Sequence, residues 1–140
     1  MTDFYTNVSR YGNSILYIGY HNGRRVKETI KFQPTLFLKT NNPSNYKTLD
    51  GISVDSIQPG TMRECKEFIE THSASNFTVY GYHDYVAQYI NERFPNTCEF
   101  ERDTLNVSFI DIEVQSDQGF PHPSDAAFPV TAITIKNNVD

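Results

Sequence analysis

Tryptophan is absent from the 140-residue chain, and cysteine occurs only twice, as Cys65 and Cys98 without a C-x-x-C spacing. A disulfide framework and a zinc site are therefore not suggested. No apolar run approaches the length of a membrane span, and the N-terminus, MTDFYTNVSR, has no hydrophobic signal region. The expected setting is cytoplasmic, with no membrane partner, and the sequons at Asn7, Asn76 and Asn106 are not read as glycosylation sites. Excess positive charge is lacking too. A net charge of −5 argues against a surface built wholly for nucleic acid, but leaves room for a local basic patch. Tandem repeats and low-complexity segments are missing.

What the chain does have is aromatic content. Ten Phe and nine Tyr within 38% apolar residues argue for a packed core, and the length allows one domain or one domain with part of another.

The first half reads as strands. Phe4, Thr6 and Val8 alternate with polar residues before a turn at Tyr11-Gly12-Asn13. SILYIGY (14–20) and RVKETIKF (25–32) flank Asn22-Gly23, a strong hairpin signal. TLFLKT (35–40) and ISVDSI (52–57) supply two more strands, separated by a loop. Thr61 and Glu64 form a capping box, and Met62, Cys65, Phe68 and Ile69 recur at helical spacing over 61–72. FTVYGY (77–82) reads as a strand. Val86, Tyr89, Ile90 and Phe94 make the stripe of a second helix, which Pro95 stops. Strand character returns in TLNVSFIDIEV from Thr104 and in VTAITIKN (130–137), around a loop rich in Gly and Pro. The stretch 97–103 is polar and unpatterned. A boundary placed there gives a first domain at 1–100 and an incomplete second at 101–140. The expected class is α+β: a mixed or antiparallel sheet with two helices, then an opening β-hairpin.

FIDIEV (109–114) reads as a buried strand carrying two carboxylates. Asp111 and Glu113 lie two apart, so they share one face roughly 7 Å apart along the strand, with Ile110, Ile112 and Val114 on the other. At about 6 Å and an effective dielectric of about 20, two such charges repel by about 3 kcal/mol. A divalent ion removes that repulsion, and hard ions such as Mg²⁺ or Mn²⁺ prefer carboxylate oxygens. The alternative is a structural pair on an edge strand or in salt bridges. Glu99/Glu101 and Glu101/Asp103 have the same spacing, but sit in the polar stretch and read as a solvated charge run. His21, His72, His83 and His122 do not pair at ligand spacing.

A second candidate surface lies on the hairpin. Arg25, Lys27, Thr29 and Lys31 share one strand face opposite Val26, Ile30 and Phe32, with Arg24 at the turn. The plain reading is a solvated sheet face. The functional one is a phosphate-contacting stripe with Tyr5, Tyr17 and Tyr20 available for stacking.

FIDIEVQSDQGFPHPSDAAFPVTAITI (109–135) resembles the first exonuclease motif of family B DNA polymerases, most closely those of T-even-like bacteriophages. FYTNVSRYGNSILYIGYHNGRRVKETIKFQPTLFL (4–38) and GYHDYVAQYINERFP (81–95) extend the resemblance along the chain. It implies the N-terminal portion of a DNA polymerase, leading into a 3′→5′ proofreading exonuclease of ribonuclease-H-like fold. It also implies a two-metal site for Mg²⁺ or Mn²⁺. There Asp111 would bridge or lead the metals, and Glu113 would hold the one that activates water. The family's remaining carboxylates come from later motifs, so the chain by itself is expected to be inactive. Phe120 is expected either to stack on the unpaired 3′-terminal base or to plug its own turn. Implied partners are primer-template DNA, a single-stranded 3′ end and the remainder of the polymerase, in the cytoplasm of a bacterial host. Such phage polymerases also repress their own messenger RNA, so a non-catalytic RNA-binding module is an alternative. A docking subunit of a split polymerase is another.

Overall fold

In the computed structural model, residues 3–96, 98–117 and 119–138 are described. Among these, nine strands pair in three antiparallel sheets, and two α-helices pack within the first unit, an α+β architecture. The chain divides into two compact units that meet between Phe100 and Glu101.

The first unit begins with a meander of β1 (Phe4–Tyr11), β2 (Ser14–His21) and β3 (Arg24–Ile30). Asn22 (φ 49°) and Gly23 (φ 74°) both take the positive φ that a tight right-twisting hairpin needs. Along β2, Ile15, Tyr17 and Gly19 point inward and are buried. A bulge between Tyr5 and Asn7 breaks the register of β1 on β2. There the buried Tyr17 hydroxyl donates to the Phe4 carbonyl at 3.2 Å.

A second sheet takes β4 (Leu36–Lys39), β5 (Tyr46–Lys47), β6 (Ser53–Ile57) and β7 (Val79–Tyr80) in the order β5-β6-β4-β7. Helix α1 (Met62–Ala74) starts at Thr61 with the capping box in place. Helix α2 (Tyr85–Arg93) starts at Asp84, whose carboxylate accepts from the Val86 and Ala87 N–H groups at 3.0 and 3.1 Å. It ends at Phe94, before Pro95. Gln88 ties α2 to the chain entering β4: it accepts from Thr35 N–H at 2.9 Å and donates to the Thr35 carbonyl at 3.0 Å.

One core joins these elements, with Ile15, Tyr17, Phe32, Leu36, Met62, Cys65, Tyr85 and Tyr89 buried together. Leu36, Ile57 and Val79 reach it from one face of the second sheet. Phe37, Tyr46 and Tyr80 are outside that cluster. The Phe37 and Tyr46 rings lie 5.3 Å apart across the intervening β6, where Val54 is buried.

The second unit is a short 3₁₀ turn (Arg102–Thr104) followed by the hairpin of β8 (Ser108–Val114) and β9 (Val130–Asn137). Its open end is held by Asn138, which donates to the Leu105 carbonyl at 2.8 Å and accepts from Val107 N–H at 2.8 Å.

Several expectations need correction. The strand expected at 77–82 is only Val79–Tyr80, since Phe77 is exposed and Gly81 (φ 125°) turns the chain away. Residues 104–107 precede β8 and do not belong to it. No local pattern marks β5, whose two residues are set by pairing with Val54 and Ser53. The largest correction concerns FIDIEV: every residue of β8 is exposed, with Phe109 at 62%, Ile110 at 64% and Ile112 at 55%. A two-stranded ribbon has no second layer to bury either face.

Candidate metal and nucleic-acid sites

On β8, Asp111 stands opposite Thr134 and Glu113 opposite Ala132, so both carboxylates share a face with Phe109 and Lys136. Among the described residues neither carboxylate forms an ion pair or accepts a hydrogen bond. The Thr131 hydroxyl donates instead to the Glu113 carbonyl, at 3.2 Å, where the register slips between Glu113 and Val114. Two free, exposed oxygen donors on one face suit a hard cation, but two ligands do not make a complete site. Among the described residues no third His, Cys, Asp or Glu joins them.

The opposite face of the ribbon is apolar. Ile110 stands beside Ile135 and Ile112 beside Ile133, and each of the four is 55–66% exposed. Beside the hairpin's turn end, an open cavity of about 740 Å³ is walled by Glu113, Val114, Phe120, His122 and Phe128. Phe120 is fully exposed at its rim, so it does not plug its turn. Charge is divided between the units. Residues 1–100 hold ten Lys/Arg and ten Asp/Glu, and residues 101–140 hold two and seven, so the whole net charge lies in the second unit.

Three of the four histidines have local partners: His21 with Asp3 at 2.6 Å, His72 with the Phe68 carbonyl at 2.9 Å, and His122 with Ser124 at 2.6 Å. His21 donates to Asp3 and lowers its carboxyl pKa. Of the other acid pairs, Glu99 and Asp103 are exposed, and Glu101 accepts from the Thr104 hydroxyl at 3.3 Å.

The basic stripe is present on the first sheet. Arg25, Lys27 and Thr29 stand opposite Tyr20, Ile18 and Leu16, on the face turned from the core. Arg24 stands opposite His21 at the turn, and Lys31 is exposed just past the end of β3. None of Arg24, Arg25, Lys27 or Lys31 is in an ion pair among the described residues. The aromatics expected to stack beside them need correction. Tyr17 is fully buried under the Arg93 guanidinium, 4.9 Å from its ring centre, and burial raises its hydroxyl pKa. Tyr5 packs on Phe94 at 5.6 Å, and Tyr20 stacks on Phe4 at 5.0 Å. The parity of β2 carried that signal: Tyr17 alternates in step with Ile15, so it faces the core. No helix among the described residues is long and apolar enough to cross a membrane.

No family model matches the chain. Over its whole length it is similar to the N-terminal region of two phage proteins, each named DNA-directed DNA polymerase. It is 26% identical to that of Enterobacteria phage T4 over 142 residues, and 28% identical to that of Escherichia phage RB69 over 144. The chain spans 16% of the length of each.

Proposed function

We propose that the chain is the N-terminal portion of a replicative DNA polymerase of family B, in the cytoplasm of a bacterial host. The first unit serves as scaffold. The second contributes the leading metal-binding strand of a 3′→5′ proofreading exonuclease of ribonuclease-H-like fold. The observation that carries the reading is β8 itself, within a chain similar to phage polymerases from end to end. Asp111 and Glu113 stand together, exposed and unpartnered, on one face. With Mg²⁺ or Mn²⁺ bound, the chemistry supplied is activation of water and neutralisation of the leaving oxygen in phosphodiester hydrolysis. The chain's own residues hold the ions and, through Phe120 at the cavity rim, offer a ring to an unpaired 3′-terminal base.

The apolar face fits a strand that later parts of the polymerase cover. Full burial of an Ile is worth about 1.5–3 kcal/mol, and four of them remain more than half exposed. Further carboxylates would arrive with those parts, and without them the chain by itself does not cleave DNA. The acidic second unit also repels a phosphate backbone until cations occupy it. Duplex contact falls instead to Arg24, Arg25, Lys27 and Lys31, which are exposed and not ion-paired.

Paramagnetic broadening by Mn²⁺ tests the metal reading on the chain as it stands. Amide signals of Asp111, Glu113 and the facing Ala132 and Thr134 should fade first as Mn²⁺ is added. Broadening centred on 99–103, or none that is localised, would defeat it.

A further inference from the structure

Asp111 and Glu113 share their face of the hairpin with one cation and one open ring. We propose that Lys136 and Phe109 form a subsite for the nucleotide on the 5′ side of the bond held at those carboxylates. The ammonium takes its phosphate, and the ring stacks on its base. The proposal deepens the exonuclease reading and rests on it.

The register sets the positions. Lys136 stands directly opposite Phe109, and alternation puts both on the carboxylate face. Asp111 stands opposite Thr134, two residues before Lys136, so Lys136 is its diagonal neighbour across the ladder. Such neighbours lie about 7–8 Å apart, a gap that the four-carbon stem of a lysine spans. Phe120 lies in the connection beyond Val114, at the turn end, whereas Phe109 and Lys136 lie toward the open end. The carboxylates fall between. A strand whose 3′-terminal base meets Phe120 therefore runs its 5′ side past Asp111 toward Phe109 and Lys136.

Both groups are open and uncommitted. Phe109 is 62% exposed, and Lys136 is exposed beside it. Among the described residues Lys136 forms no ion pair, and the cations that lie over rings are both the Arg93 guanidinium. Cover by later parts of the polymerase accounts for Ile110, Ile112, Ile133 and Ile135, but those are on the opposite face. The face of Phe109 has to stay open to substrate. Lys136 is also the only Lys or Arg of the hairpin, in a unit whose one other cation, Arg102, precedes β8. Where seven Asp and Glu otherwise repel phosphate, an unpaired ammonium on the metal face is the point that draws it in. A point charge on phosphate and a ring under a base tolerate any sequence, as removal of arbitrary 3′ ends requires.

The test uses the full-length polymerase containing this segment, degrading labelled twelve-nucleotide dT strands in Mg²⁺. Lys136→Gln and Phe109→Ala should each raise KM about tenfold with kcat little changed, from the loss of one phosphate contact or one stacked base. Lys136→Arg should restore KM, and Lys66→Gln, which removes a lysine paired with Glu70 on α1, should not move it. Strands with one uncharged methylphosphonate linkage at a time near the 3′ end locate the contact. At one linkage the neutral probe should raise KM of the parent and leave that of Lys136→Gln unchanged. An abasic site at the adjoining nucleotide should do the same for Phe109→Ala. In the 140-residue chain, Lys136→Gln should preserve the Mn²⁺ broadening of the Asp111 and Glu113 amides. An unmoved KM, penalties that add at every linkage, or loss of that broadening in Lys136→Gln would each overturn the proposal. Broadening missing from the parent chain defeats the metal reading and this proposal with it, whereas an unmoved KM with broadening intact defeats this proposal alone.

Discussion

Gly19→Ala probes how the first sheet is closed, and its cost can be worked from the structure. Gly19 sits at a core-facing position of β2 where β1 passes unusually close. A Cβ added there would collide with the Phe4 carbonyl oxygen, and would come within 2.8 Å of the Tyr17 hydroxyl and 2.9 Å of the Tyr5 Cα. Two of those neighbours are backbone, so β1 must shift. The shift disturbs Phe4, which is 1% exposed, and the 3.2 Å hydrogen bond from Tyr17. Overpacking of this kind costs about 1–3 kcal/mol, and a lost hydrogen bond adds about 1 kcal/mol. Replacing Gly by Ala in a strand returns about 0.5–1 kcal/mol. The net is a loss of about 2 kcal/mol, or a fall of about 8–16 °C in melting temperature for a unit of this size. Circular dichroism melts of parent and variant measure it, and hydrogen exchange should show the loss of protection concentrated around the Tyr5–Asn7 bulge. A melting temperature unchanged or raised would refute the claim that close backbone approach, and not chance, places glycine at this position.

Three further outcomes follow from local chemistry. Thr61→Ala removes the hydroxyl that caps α1 and should cost about 1 kcal/mol in a denaturant titration. The Thr61 N–H and hydroxyl donate to Glu64 at 2.7 and 2.8 Å and hold its pKa below the ordinary value of 4.5. A depressed carboxylate contributes stability above that ordinary value and loses it as pH falls through the lowered one. Glu64→Gln should therefore flatten the acid limb of the stability curve below pH 4.5, and an unchanged limb would contradict the assignment. The buried Tyr89 hydroxyl has Arg93 as its polar neighbour but forms no well-aligned hydrogen bond among the described residues, so Tyr89→Phe should raise stability by about 1 kcal/mol; a clear loss would show that Arg93 pairs with it in solution.

The elements legible in the sequence were those whose chemistry is local. Asn22-Gly23 specifies its turn by allowing positive φ, and Thr61 with Glu64 specifies the start of α1 within four residues. Tyr46–Lys47 becomes a strand only because β6 lies beside it, which no local pattern records. The carboxylate pair was legible as a pair, since strand alternation alone sets Asp111 and Glu113 on one face. Its burial was not, because burial depends on a layer that the two strands cannot supply themselves. Apolar composition in Phe109, Ile110 and Ile112 signals the need for cover, not its presence. Tyr17 is close to the cations in sequence but unavailable to stack, because it alternates in step with the buried Ile15 and Gly19 and so faces the core.

The central claim is that Asp111 and Glu113 hold metal for proofreading, apart from the chemistry of nucleotide addition. The most direct measurement compares the full-length polymerase containing this segment with its Asp111→Ala/Glu113→Ala variant, following 3′→5′ degradation of a labelled single strand and extension of a primer in Mg²⁺. The account predicts that degradation disappears while extension proceeds at the parent rate, because metal ligands and not core volume have been removed. Degradation at the parent rate in the variant would mean that the strand is structural, and would contradict the account.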